Sequence, residues 1–185
     1  MNLQELLNKW SIKCDLNTIL ARWNESHRHY HSLNHLNDLI AQINENKSKY
    51  SEKEYEKLLI ASLFHDIVYD PMKSDNEEKS AEFFIECCSD KTNQDITEIK
   101  QMILDTKTHQ SNTLLSESFN NFDMNIVERD FDQLLEWERG IHEEFQAYGE
   151  MYKFGRLQFL ESILDKYPNN TENLLKLIEY VKTNY

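Results

Sequence analysis

The sequence predicts an all-α fold, a single bundle of roughly eight to ten helices across residues 1–185. Three observations carry that prediction. Only three Gly and two Pro occur in 185 residues, too few for the dense turns of an all-β protein. Apolar side chains recur at spacings of three and four through nearly every patterned segment, the period of one helix face. A Ser51-Glu52-Lys53-Glu54 capping box opens a long apolar run without Gly or Pro, the signature of a helix start.

In chain order, Leu3, Leu6, Leu7 and Trp10 mark a first helix, and Ile19, Leu20 and Trp23 a second. Leu36, Leu39, Ile40 and Ile43 mark a third, followed by a polar loop at 44–49. The helix after the capping box is expected over 52–69, stopping at Asp70-Pro71 because the residue before proline avoids the α region. A loop at 73–75 leads to a helix capped by Asp75 or Asn76 and carrying Ala81, Phe83, Phe84 and Ile85. Ile96, Ile99, Met102 and Ile103 mark the next, and Gln110 to Thr113 form a loop. Two long helices are expected over 122–137 and 143–164, with Gly149 and Gly155 as points of kinking or close packing in the second. Pro168-Asn169-Asn170 breaks the chain before a final helix with Leu174, Leu177, Ile178 and Val181. No repeat and no interdomain linker is visible, so one domain is expected.

Apolar content of 39% and charged content of 29% describe a chain that folds rather than stays disordered. No apolar stretch has membrane-spanning length, and Met1 to Glu5 lack a basic start and apolar core, so no membrane partner and a cytoplasmic location are expected. Cys14, Cys87 and Cys88 form neither a disulfide framework nor a Cys-x-x-Cys metal pair. A formal net charge of −13 opposes contact with a nucleic acid polymer. It also repels phosphorylated small molecules, so a site for one would need a metal or focused Arg and Lys.

The chemistry concentrates around His65-Asp66, an ionisable pair inside the apolar run from Leu58 to Tyr69. Burying such a pair is costly unless it is partnered, and a shared cation is the simplest partner. Four of the seven histidines, His27, His29, His31 and His35, fall within nine residues, and His31 and His35 would share a face of one helix.

The order His35, His65-Asp66, Asp123 resembles the His…His-Asp…Asp signature of the HD superfamily of metal-dependent phosphohydrolases. Further segments are similar to a bacterial branch known as predicted metal-dependent HD phosphohydrolases of little-known substrate. These are Arg28-His29-Tyr30-His31-Ser32-Leu33-Asn34-His35, Phe64-His65-Asp66-Ile67-Val68-Tyr69-Asp70-Pro71, Asp75-Asn76-Glu77-Glu78-Lys79-Ser80-Ala81, Thr106-Lys107-Thr108-His109 and Tyr152-Lys153-Phe154-Gly155-Arg156. Two departures stand out. Asn121-Phe122-Asp123-Met124 replaces an Asp-x-Asp-Leu segment, and Ile141-His142-Glu143-Glu144-Phe145 lacks the Arg that usually precedes its acidic-aromatic motif.

The resemblance implies an HD-like bundle with His35, His65, Asp66 and Asp123 as metal ligands. Mixed nitrogen and oxygen ligation suits a divalent ion such as Mn, Fe, Co, Ni, Zn or Mg. Such an ion would activate water against a phosphoester of a small phosphorylated molecule, with a nucleotide as the analogy-based choice. Asp66, Asp70, His31 and His109 are the further candidates for catalysis. Asp70 lies one turn beyond Asp66; as base it would orient water, and its plain alternative is a helix end. His31 has three roles open to it: phosphate contact, a second metal, or orienting a ligand. Arg28, Lys107 and Arg156 are the candidate phosphate contacts, against the alternative of surface ion pairs. Glu77 in a first helical turn is accounted for by the helix dipole. HD proteins often pair through helices, so a homodimer is an expectation. The other reading is a non-catalytic helical module that keeps a structural metal or binds a nucleotide.

Overall fold

A computed structural model describes residues 2–185. Ten α-helices and short 3-10 turns make up the described chain, with no β-strand among the described residues and one isolated antiparallel bridge, Ile12 to Cys88. The all-α expectation holds. The chain packs as two compact units, one ending at Asp123 and the other spanning Met124–Tyr185.

The first unit contains α1 (Leu3–Lys9), α2 (Leu16–Trp23), α3 (Leu33–Glu45), α4 (Glu52–Phe64), α5 (Asn76–Cys87), α6 (Gln94–Asp105) and α7 (Leu114–Asp123). Its centre is α4, against which α3, α5, α6 and α7 all pack. The capping box is present: Glu54 N–H donates to Ser51 Oγ at 3.3 Å, and Ser51 N–H donates to the Glu54 carboxylate at 2.9 Å. Every residue from Tyr55 to Phe64 is buried, as a helix ringed by four others requires. Its two buried charges at the capped end are paired: Glu56 with Lys9 and the Trp10 indole, Lys57 with Asp95 and Glu98. The outer helices are amphipathic instead, with Leu36, Leu39 and Ile43 of α3 and Ile96, Ile99 and Ile103 of α6 turned inward.

Three boundaries differ from the expected ones. First, α4 ends at Phe64 rather than Tyr69, with His65 as its C-cap. The carbonyls just beyond the helix end are taken by side chains. Arg28 donates to Asp66 O at 2.8 Å and to Ile67 O at 3.4 Å, and Ser80 Oγ donates to Val68 O at 3.2 Å. Second, no single helix spans 122–137. The α7 helix starts at Leu114, a 3-10 turn covers Met124–Glu128, and α8 (Phe131–Glu144) begins where Asp130 accepts from Gln133 N–H at 3.0 Å. Third, the expected 143–164 helix is divided. The α9 helix (Glu150–Ile163) follows Gly149, whose φ of 53° and ψ of −133° reverse the chain in a conformation that only glycine adopts without strain.

In the second unit α10 (Thr171–Asn184) packs on α8 and α9. Glu138, fully buried on α8, accepts from the Tyr152 hydroxyl and from Arg156 Nε, each at 2.6 Å, and the Arg156 guanidinium lies 4.2 Å over the Trp137 ring. A buried carboxylate held this way is a structural ion pair.

Candidate metal centre

The end of α4 carries His65 into the core of the first unit, where it is essentially inaccessible. Its Nδ1 lies 3.1 Å from Ser62 O, an acceptor, which places a ring proton on Nδ1 and leaves Nε2 facing inward. Trp23, donating its indole N–H to Leu63 O at 2.9 Å, holds its ring 5.2 Å from that of His65 and 6.2 Å from that of His35. Phe119 of α7 closes another side, edge-on to His65 at 5.6 Å. An apolar box thus encloses the inward-facing nitrogen.

Three helices deliver the polar groups. His35 comes from the first turn of α3, His65 and Asp66 from the end of α4, and Asp123 from the last residue of α7. His35 Nε2 lies 3.3 Å from His65 Nε2 and 3.0 Å from Asp123 Oδ1. His65 Nε2 lies 3.4 Å from the same Asp123 oxygen and 3.2 Å from Asp66 Oδ2. The candidate ligand atoms of His35, His65 and Asp66 all fall within 4.8 Å of one another. After α6, His109 approaches Asp123 from the opposite side, with Nε2 3.1 Å from Oδ2. Its φ of 49° is left-handed, an uncommon conformation for a non-glycine residue, and it accompanies this reach toward Asp123.

These spacings have a chemical meaning. Donor atoms bonded to one ion at about 2.0–2.2 Å in tetrahedral or octahedral geometry stand roughly 3.0–3.5 Å apart. The observed separations match those edges, and two imidazoles with two carboxylates form a donor set suited to a borderline divalent cation.

Protonation shows the same demand for positive charge. Burial opposes charge on His65, but Asp66 and then Asp123 outweigh it and push the imidazole up to about 10. Burial likewise works to raise Asp66, yet His65, with His31 farther along, carries its carboxyl well below the ordinary range. Asp123 is also held low against its burial, by His65 and by hydrogen bonds from His109 and His35. A proton on the imidazole does the work that a cation would do more fully.

The remaining expected residues are placed as follows. His31 precedes α3 rather than sharing its face, since Ser32 is the N-cap, but its ring stands 6.1 Å from His35 and 4.4 Å from Tyr69. Asp70 sits in the loop, where its carboxylate accepts from Met72 N–H at 2.9 Å and closes a turn. Arg28 is buried, and its guanidinium is committed to Glu25 and to the carbonyls of His31, Asp66 and Ile67. Lys107 donates to Ser74 O at 2.6 Å and to Glu78 at 2.5 Å. Arg156 belongs to the second unit, paired with Glu138. The Arg28 and Lys107 cations expected at a phosphate therefore serve the fold.

Glu77, assigned on sequence to the helix dipole alone, is half-buried in the first turn of α5. Burial, and after it the negative charge of Asp66, pushes its carboxyl up. Its sequence signal, a Glu in the first turn of α5, is the same one a helix dipole produces. No family model, curated protein or solved structure significantly matches this chain.

Proposed function

We propose that this protein is a metal-dependent phosphohydrolase of the HD type, with His35, His65, Asp66 and Asp123 holding a divalent cation and a small phosphorylated molecule as substrate. The observation that carries the reading is the chain of 3.0–3.4 Å contacts linking Asp66, His65, His35 and Asp123 beside an apolar enclosure, with ligand atoms of His35, His65 and Asp66 within 4.8 Å of one another. The ordered motifs of the sequence support the HD assignment and, through it, the reaction class.

A divalent ion there supplies Lewis-acid polarisation of a phosphoryl oxygen and lowers the pKa of water toward neutrality. The chain's own residues do the rest. Ser62 holds the Nδ1 proton of His65, so the proton a cation would displace is the one on Nε2, facing the site. His109 holds Asp123 by its outer oxygen and keeps the inner one aimed at His35 and His65. Trp23 and Phe119 exclude water from the inner side, which strengthens every charge interaction in the site. Glu77, half-buried and near enough to feel the charge of Asp66, is a candidate to accept a proton from attacking water.

The test is turnover of a panel of phosphomonoesters and nucleotides by the purified chain with added Mn, Co, Ni or Mg. The proposal expects metal-dependent phosphate release that Asp66→Ala abolishes while the helix content stays unchanged. Unchanged turnover in Asp66→Ala would remove that residue from the mechanism.

One observation favours a second reading, a helical module with a structural metal. Arg28 and Lys107 spend their donors on the fold, leaving the cation as the main positive charge for a phosphate. That reading expects a chelator to lower the melting temperature sharply with no hydrolysis under any metal.

A further inference from the structure

Asn120 stands apart from the other buried polar side chains of the first unit. Glu56, Lys57, Ser62, Ser80, Asp105, Thr106 and Ser116 all have partners, whereas both polar atoms of the Asn120 amide are buried with none. A buried amide that is never satisfied is costly, so its place in the fold asks for a role. Asn120 lies on α7 three residues before Asp123, and Ser116, Phe119, Asn120 and Asp123 share the inward face of that helix. Phe119 touches the His65 ring and Ser116 Oγ donates to Asp105 at 2.5 Å, which leaves Asn120 between that pair and the metal centre.

Cation binding changes what Asp123 needs. Without a cation its carboxylate faces three imidazole nitrogens, at 3.0, 3.4 and 3.1 Å. An imidazole that ligates through Nε2 carries no hydrogen there, so His35 and His65 then cease to donate to Asp123. Only His109 would remain from that group. Ligating carboxylates hold their orientation through hydrogen bonds to their other lone pairs, and the i, i+3 spacing puts Asn120 within side-chain reach.

We propose that Asn120 is a positioning residue for the metal centre, its amide N–H donating to Asp123, directly or through one enclosed water, when a cation is bound. This rests on the metal reading of the site. The experiment titrates the full chain with Co²⁺ alone, following affinity by chelator competition and coordination by the visible absorption band, in the unsubstituted protein, Asn120→Leu and Asn120→Ser. The metal-free Asn120→Leu protein should melt no lower than the unsubstituted one, because a buried unmet amide is gone. Its cobalt affinity should fall by about 10- to 100-fold with a shifted band. Asn120→Ser, which keeps a donor, should recover part of both, and it carries the test if leucine is not accommodated. Unsubstituted affinity and spectrum in both variants would overturn the proposal, as would a change in melting temperature alone. If the unsubstituted chain takes up no cobalt, the metal reading itself falls and this inference falls with it.

Discussion

His109 shows how a single residue can trade backbone comfort for placement. Its left-handed φ of 49° costs on the order of 1 kcal/mol for a non-glycine residue, and its ring ends against Asp123 Oδ2. His109→Gly removes both the strain and the imidazole, while glycine adds entropy to the unfolded chain. The metal-free variant should therefore melt within a few degrees of the unsubstituted protein, yet bind a divalent ion about 10-fold or more weakly. Calorimetric titration beside a thermal melt checks both halves. Neither the strained φ nor the direction of the His109 ring was visible in sequence. What could be read there was an ordered set of ligand-type residues, His35, His65-Asp66 and Asp123, and the structure brings those side chains together.

At the scale of elements, the decisive feature is the early end of α4. Helical periodicity continues to Tyr69 in the sequence, and Pro71 supplies an obvious stop, but the backbone leaves the helix after Phe64. The segment beyond it is held by a partner some forty residues earlier, where Arg28 takes the carbonyls of Asp66 and Ile67. No local pattern encodes such a partner. The start of α4, by contrast, was legible because its cap is local: Ser51 accepts a backbone N–H of the turn it opens. Arg28 is thereby a clamp on the segment that carries Asp66. Arg28→Lys keeps the charge but loses the planar fork that reaches three carbonyls, and should cost about 2–3 kcal/mol of stability. Denaturant unfolding would measure it, with a parallel fall in metal affinity as the segment after His65 loosens. A variant as stable as the unsubstituted protein would show that the clamp is dispensable.

For the whole molecule, a chain of net charge −13 concentrates two low-titrating carboxylates and a high-titrating imidazole at one buried point. The signs follow from the shifts. Asp66 and Asp123 are held below their ordinary value of 3.8, so their contribution is present above it and is lost as the solution becomes more acidic. His65 is raised from 6.5 to about 10, so its contribution is complete below 6.5 and disappears as the pH rises through about 10. Metal-free protein in a chelator should accordingly melt at falling temperature between pH 6.5 and about 10. With a saturating divalent ion that decline should be much reduced, because the cation replaces the proton and favours the deprotonated ligands. Parallel slopes with and without metal would contradict the coupling.

The account stands or falls on cation binding by the four converging side chains. Its most direct test is calorimetric titration of Mn²⁺ or Co²⁺ into chelator-stripped full chain, beside Asp123→Ala of unchanged helix content. The account predicts saturable binding in the first and its loss in the second. Equal binding in both, or none in the unsubstituted chain, would contradict it.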